Sequence, residues 1–143
     1  MRYARVLIIG LGLLMCGCLT RDEVSRVTSP DGRVDALLFE TNCGAPCSFG
    51  YEVELVAKGS RRGERVASLT GATRNGEAWG VNLKWLGPDK LSVEYLQAED
   101  ARLLKQTAAV AGRSIAVSLR SGVNDPTAPG GGMLYNLEGR PRN

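Results

Sequence analysis

The chain has 143 residues, with 18 basic against 15 acidic side chains, a formal charge of +3, four cysteines and no histidine. At ~100–200 residues per domain this is one domain, and 43% hydrophobic with 23% charged residues is a globular composition. The missing histidine excludes Ser-His-Asp triads, Cys-His pairs, histidine zinc sites and a histidine general base.

Arg2 and Arg5 open the chain, and residues 6–15 then run without a charge. This run is half of the ~20 apolar residues that span a bilayer core. A basic start followed by roughly 7–15 apolar residues is the pattern of a secretory signal, here over residues 1–17. The competing reading is a buried N-terminal strand or helix. The run leads into Met15-Cys16-Gly17-Cys18, which resembles the lipobox of bacterial lipoproteins: an apolar residue, a variable one and a small one, then the cysteine. Met15 stands where leucine is usual, and Gly17 is the small residue. The resemblance implies cleavage before Cys18, diacylglycerol on its sulfur and a further acyl chain on its amine. One acyl chain holds a membrane only marginally, so stable anchoring takes two signals. The alternative is a freely secreted protein cut by an ordinary signal peptidase. In the lipoprotein family an aspartate after the cysteine is the usual inner-membrane retention signal. Leu19 stands there instead, which implies the periplasmic face of the outer membrane. Loss of residues 1–17 removes Arg2 and Arg5, so 16 basic residues face 15 acidic ones and the charge falls to +1.

Residues 18–25 read as a lipidated tether, 26–121 as an antiparallel β domain and 122–143 as a flexible Gly/Pro-rich tail. Ser29-Pro30-Asp31-Gly32 is a turn, with proline fixing φ and glycine accepting a positive one. Residues 34–40 follow as a strand that is apolar on both faces. In residues 51–57, Tyr51, Val53, Leu55 and Ala57 share one face, and Glu52 and Glu54 the other. A polar loop over 58–64 and a return strand over 66–69 complete a hairpin. Residues 70–79, with Gly71 and Asn75-Gly76, form a loop. Val81, Leu83 and Trp85 then alternate inward, Gly87-Pro88-Asp89-Lys90 turns the chain, and 91–95 alternates back with Tyr95 inward. Residues 98–111 are helical by composition, with Gly112 as a stop. Their place between strands favours a strand over 101–106 followed by a loop. Ile115, Val117 and Leu119 alternate in a last strand. Residues 122–143 hold three prolines and five glycines; they read as a disordered tail, unless Met133-Leu134-Tyr135 docks as an edge segment. The expectation is an all-β domain of antiparallel hairpins forming a curled sheet, a small sandwich or an open barrel.

Cys43 and Cys47, five residues apart counted inclusively in a Gly/Pro turn, are the candidate disulfide of an exported chain. Closing so short a loop stabilises by about 2 kcal/mol. The alternatives are redox chemistry and copper. The spacing resembles the copper-binding pair of Sco-type assembly proteins, which add a histidine and a thioredoxin-like fold; soft thiolates select Cu(I). Glu52 with Glu54, and Glu99 with Asp100, are carboxylate pairs open to an acid–base enzyme reading, although solvated surface charge is the commoner case. Lys58, Arg61, Arg62 and Arg65 form a basic loop suited to anionic headgroups near the anchor or to an acidic partner, or simply a solubilising hairpin tip. It carries no interleaved aromatics, so nucleic acid is not expected. No residue is assigned a catalytic or metal-binding role, and no cofactor is expected.

Ser29-Pro30-Asp31-Gly32-Arg33 resembles the turn of WD-repeat propeller blades, with Trp85 to Leu91 as a looser second copy. A blade takes ~40–45 residues, so the mature chain is too short to close a propeller. The same turns, with Cys43-Gly44-Ala45, resemble small bacterial envelope proteins without an assigned activity. The reading is therefore a lipid-anchored envelope protein. It serves as a binding or structural module that meets the membrane through Cys18 and a periplasmic protein through a sheet edge or loop face.

Overall fold

A computed structural model describes residues 19–138. The signal peptide expected over 1–17, the expected lipidation site Cys18 and residues 139–143 lie outside the described residues. The strands are β1 (Thr20–Thr28), β2 (Val34–Asn42), β3 (Gly50–Ala57), β4 (Gly63–Thr70), β5 (Asn82–Gly87), β6 (Lys90–Glu94), β7 (Asp100–Leu103), β8 (Thr107–Val110) and β9 (Arg113–Arg120); a short helix, α1 (Met133–Glu138), follows.

The strands form a five-stranded sheet, β1-β2-β3-β4-β7, and a four-stranded sheet, β5-β6-β9-β8. Period-2 alternation explains why the two pack face to face. Val34, Ala36 and Leu38 of β2, Val53 and Leu55 of β3, and Val66 and Leu69 of β4 meet Leu91, Val93, Ile115 and Val117 of β6 and β9 in one core. The expected sandwich is what the chain builds.

Four expectations need correction. Residues 18–25 are not a tether, because β1 begins at Thr20 and pairs with β2 along its whole length. Arg21, Glu23, Arg26 and Thr28 lie on the outer face of the sheet, and Val24 is buried. The hairpins are antiparallel, but the sheets are not wholly so, since the non-consecutive strands β6 and β9 pair in parallel. The loop expected after residue 106 contains β8, paired with β9; Gly112 is a turn residue rather than a helix stop. Residues 122–138 do not form a loose tail. Gly122 and Val123 donate to the carbonyls of Leu96 and Tyr95, and Gly131 bridges to Ala78. Met133-Leu134-Tyr135 docks as the start of a helix, not as an edge strand.

The Ser29 to Gly32 turn does more than reverse the chain. Gly32 has φ +74° and donates to the Ser29 carbonyl at 2.8 Å. Asp31 forms a fork with Arg113 at the start of β9, which joins the first sheet to the second. The hydrogen bonds from Arg113, and then from Ser29, hold the Asp31 carboxyl well below the ordinary carboxylate range. The β8–β9 turn places Ala111 at φ 54° and Gly112 at φ 74°. Two consecutive positive φ values suit a tight hairpin, but the first falls on a residue with a Cβ. We expect Ala111→Gly to stabilise the domain by up to about 1 kcal/mol and Ala111→Val to destabilise it by at least as much, read as opposite shifts in the thermal midpoint.

Candidate functional site

The sandwich opens on one side. There β1 and β5, the outermost strands of their sheets, flank a cleft of ≈ 870 Å³. The two edges meet at one end, where the Trp85 indole N–H donates to the Val27 carbonyl at 2.9 Å. Toward the other end the cleft is lined by Val24 and Ser25 of β1, by Asn82 and Lys84 of β5, and by Arg74 and Asp125 from loops.

The segment after β9 makes one wall of this cleft, and Asn75 fastens it. The Asn75 amide donates to the carbonyls of Asp125 and Ala128, both at 2.9 Å. Its oxygen accepts from the backbone N–H groups of Glu77 at 2.9 Å and Ala78 at 2.8 Å. Both donors and both acceptor positions of the side chain are therefore in use. Asp125 accepts from the Thr127 hydroxyl at 2.7 Å and backbone at 3.0 Å, and from Asn82 at 2.9 Å. These bonds, Thr127 first, hold its carboxyl below the ordinary range. Arg74 faces it at 3.9 Å, and the Arg74 Nε is buried without a hydrogen-bond partner among the described residues. The helix start is held by Glu40, which is 3% exposed. Its carboxylate accepts from the N–H groups of Met133 at 2.8 Å and Leu134 at 3.4 Å, and from the Tyr51 hydroxyl at 2.9 Å. Burial, and then the Glu40 charge, push the Tyr51 phenol strongly up.

The residues singled out from sequence lie elsewhere. Cys43 and Cys47 are in the β2–β3 loop at disulfide distance, with Cα atoms 5.8 Å apart. The Glu52 and Glu54 pair is on the outer face of the first sheet. Arg21 bonds Glu52 at 2.7 Å and Glu54 at 2.5 Å, and Arg65 bonds Glu52 at 2.8 Å. Arg21 also lies 3.6 Å from the Phe39 ring centroid. Glu99 accepts from Ser48 at 2.6 Å, and Asp100 pairs with Arg102 at 2.7 Å. The basic loop is divided. Arg65 joins the ladder just described, Lys58 bonds Asp35 at 3.2 Å, and Arg61 and Arg62 stay exposed at the tip. Burial pushes the Asp35 carboxyl up, but hydrogen bonds from Thr28, Lys58 and Arg26 outweigh it and leave it lowered. The tip is also at the far end of β3 from Thr20, which pairs with Asn42. At ~3.3 Å per residue, the length of β3 separates the ends by roughly 26 Å.

Asn75, Asn82, Asp125 and the cleft-lining Glu94, paired with Arg120 at 3.6 Å, are not candidate site residues by sequence. Two of them carried a local signal: Asn75-Gly76 and Asp125-Pro126 are turn formers whose side chains bond the backbone two residues on. The chain matches no protein-family model, and no curated protein or solved structure is significantly similar to it.

Asn75→Ala removes four hydrogen bonds and strands buried backbone groups, an expected cost of roughly 3 kcal/mol. Amide exchange should quicken over residues 123–132 while the β2 and β3 amides stay protected. The lowered aspartates also set an acid limb. The unfolded chain takes up its protons first on acidification, so their contribution is complete above about pH 4 and is lost as pH falls through the lower folded values. Asp125→Asn is therefore destabilising at pH 7, and its difference from wild type should shrink in unfolding curves taken toward pH 2.

Proposed function

We propose that the chain is a cell-envelope lipoprotein, anchored by lipid on Cys18 at the periplasmic face of the outer membrane, that binds a protein partner rather than catalysing a reaction. The observation that supports this best is the cleft. It opens between two sheet edges, its walls are polar and apolar together, and a dedicated segment bonded by Asn75 and Glu40 shapes it. Concave sites with a few oriented polar groups are the usual binding sites of small domains.

In this reading the anchor and the domain are nearly continuous. Only Leu19 stands between Cys18 and β1, and Leu19 is exposed. The sandwich then stands with its Cys43 and Cys47 end toward the bilayer, and Arg61 and Arg62 project away from it. The cleft runs along the flank between, open to a partner in the periplasm.

Two measurements test the proposal. Wild-type protein should incorporate radiolabelled palmitate in cells and carry an acylated cysteine at its mature N-terminus, whereas Cys18→Ser should incorporate none. Label on the variant, or none on the wild type, overturns the anchor. A photo-crosslinking residue at Ser25 in the cleft should capture a defined partner in intact cells, and one at Arg61 should not. Equal capture at both, or none at either, overturns the cleft.

A further inference from the structure

A two-sheet sandwich has four edges, and this one treats its two sides differently. On the side of β7 and β8 the chain passes from one sheet to the other through residues 104–106. Leu104 and Lys105 both donate to the Val66 carbonyl, at 2.9 and 3.2 Å, and Val117 donates to the Gln106 carbonyl at 2.9 Å. The backbone itself closes that side. On the cleft side nothing comparable happens. Trp85 occupies one carbonyl of β1. Among the described residues, no backbone group of β5 bonds outside the ladder with β6.

Three cations and three carboxylates, Glu23, Glu94 and Asp125, line the cleft, and each of the carboxylates has a cation partner. Arg26 bonds Glu23 at 2.7 Å and Asp35 at 3.0 Å, and Arg74 faces Asp125 at 3.9 Å. Lys84, exposed on the open strand β5, has no ion-pair partner among the described residues. It lies opposite Ser92 in the β5–β6 ladder, and the carboxylate diagonal to it on that face, Glu94, is paired with Arg120 at 3.6 Å.

The geometry points to an extended, acidic polypeptide segment as the ligand of the cleft, added to the edge of β5 as a further strand with a carboxylate opposite Lys84. This rests on the cleft being the binding site, as proposed above, and names what enters it. An open row of N–H and C=O groups repeating along a strand is complementary to another extended backbone. Directly opposite side chains on such a pair lie ~4.5–5.5 Å apart at Cβ, within reach of a Lys–carboxylate contact. A lysine on an edge also discourages unwanted pairing. Here the two roles agree, because the same charge that repels basic strands and discourages apolar ones admits an acidic one.

The test uses a displayed library of random linear peptides, selected on the full chain in detergent, and synthetic copies of the enriched sequences. Enriched peptides should be acidic. N-methylation of every second peptide residue should weaken binding about tenfold in one phase and little in the other, since only alternate N–H groups face β5. Bound peptide should slow amide exchange within β5. Lys84→Glu, an exposed substitution, should weaken binding roughly fivefold or more, with Lys84→Ala between it and wild type. No enrichment, equal effects of both methylation phases, or full affinity with Lys84→Glu each overturn the strand-addition proposal. Capture of a partner at Ser25 in cells without such peptide binding overturns strand addition alone. Phase-dependent peptide binding without capture at Ser25 overturns the partner reading and leaves the strand site standing.

Discussion

A β-sheet cannot satisfy the backbone groups along its own outermost strands, and every distinctive feature of this domain is an answer to that constraint. The alternating apolar residues of β2, β3, β6 and β9 are enough to bring two sheets together, since each buries the face that the other leaves exposed. They do not say what becomes of the edges. At β7 and β8 the chain crosses over and its own amides close the seam. At β1 a bulge between Glu23 and Ser25 kinks the strand, and the Trp85 indole takes the Val27 carbonyl. At β5 the edge is left with a lysine beside it. The cleft exists because the two sheets, pinned together at Trp85 and Val27, are not joined along the rest of that side.

The wall of the cleft is attached in part by a different physics from the core. Residues after β9 bury Ala128 and pack Met133 and Leu134 against the core, and they are also held by directional bonds from Asn75, Asp125 and Glu40. Bonds of this kind contribute about 1 kcal/mol each when made and cost more than that when one buried partner is left alone. The segment therefore opens at a lower free energy than the sheets, which lose the whole core when they part. The outer face of the first sheet shows a third regime. Arg21, Arg65, Lys58 and Arg26 cover Glu52, Glu54 and Asp35 with long side chains. Such half-exposed pairs add little stability, but their stems shield Leu37, 5% exposed, and Phe39 on an otherwise bare face.

These regimes explain what could be read from the sequence. Residues 51–57, 82–86 and 115–119 alternate because one face is the more buried, 91–95 alternate although Ser92 and Glu94 are buried too, and each lies in or overlaps a strand. Residues 18–25 read as a tether because an edge strand with a solvated face needs few apolar residues; in β1 Val24 alone is deeply buried. β8 was hidden by alanines that favour helix locally, a preference overridden by pairing with β9. The parallel pairing of β6 with β9 leaves no local trace, because nothing in either strand names its distant partner. The site was least legible of all. Asn75 bonds carbonyls 50 and 53 residues away, and a side chain that meets distant backbone carries no periodicity. Lys84 was visible only as a polar position on a strand, and its significance comes from the edge it occupies.

The buried carboxylate of Glu40 has a consequence for the order in which the domain is assembled. It belongs to β2, takes the hydroxyl of Tyr51 from β3, and receives Met133, 93 residues further on. Contacts of such separation form late, since the entropy of closing the intervening loop must be overcome first. A chain delivered N-terminus first can pair β1, β2 and β3 and bury Glu40 beside Tyr51 long before its last residues arrive. Until then the carboxylate lacks its two backbone donors. The arrival of Met133 and Leu134 supplies them and sets the last wall of the cleft, so the site is incomplete until those residues have docked.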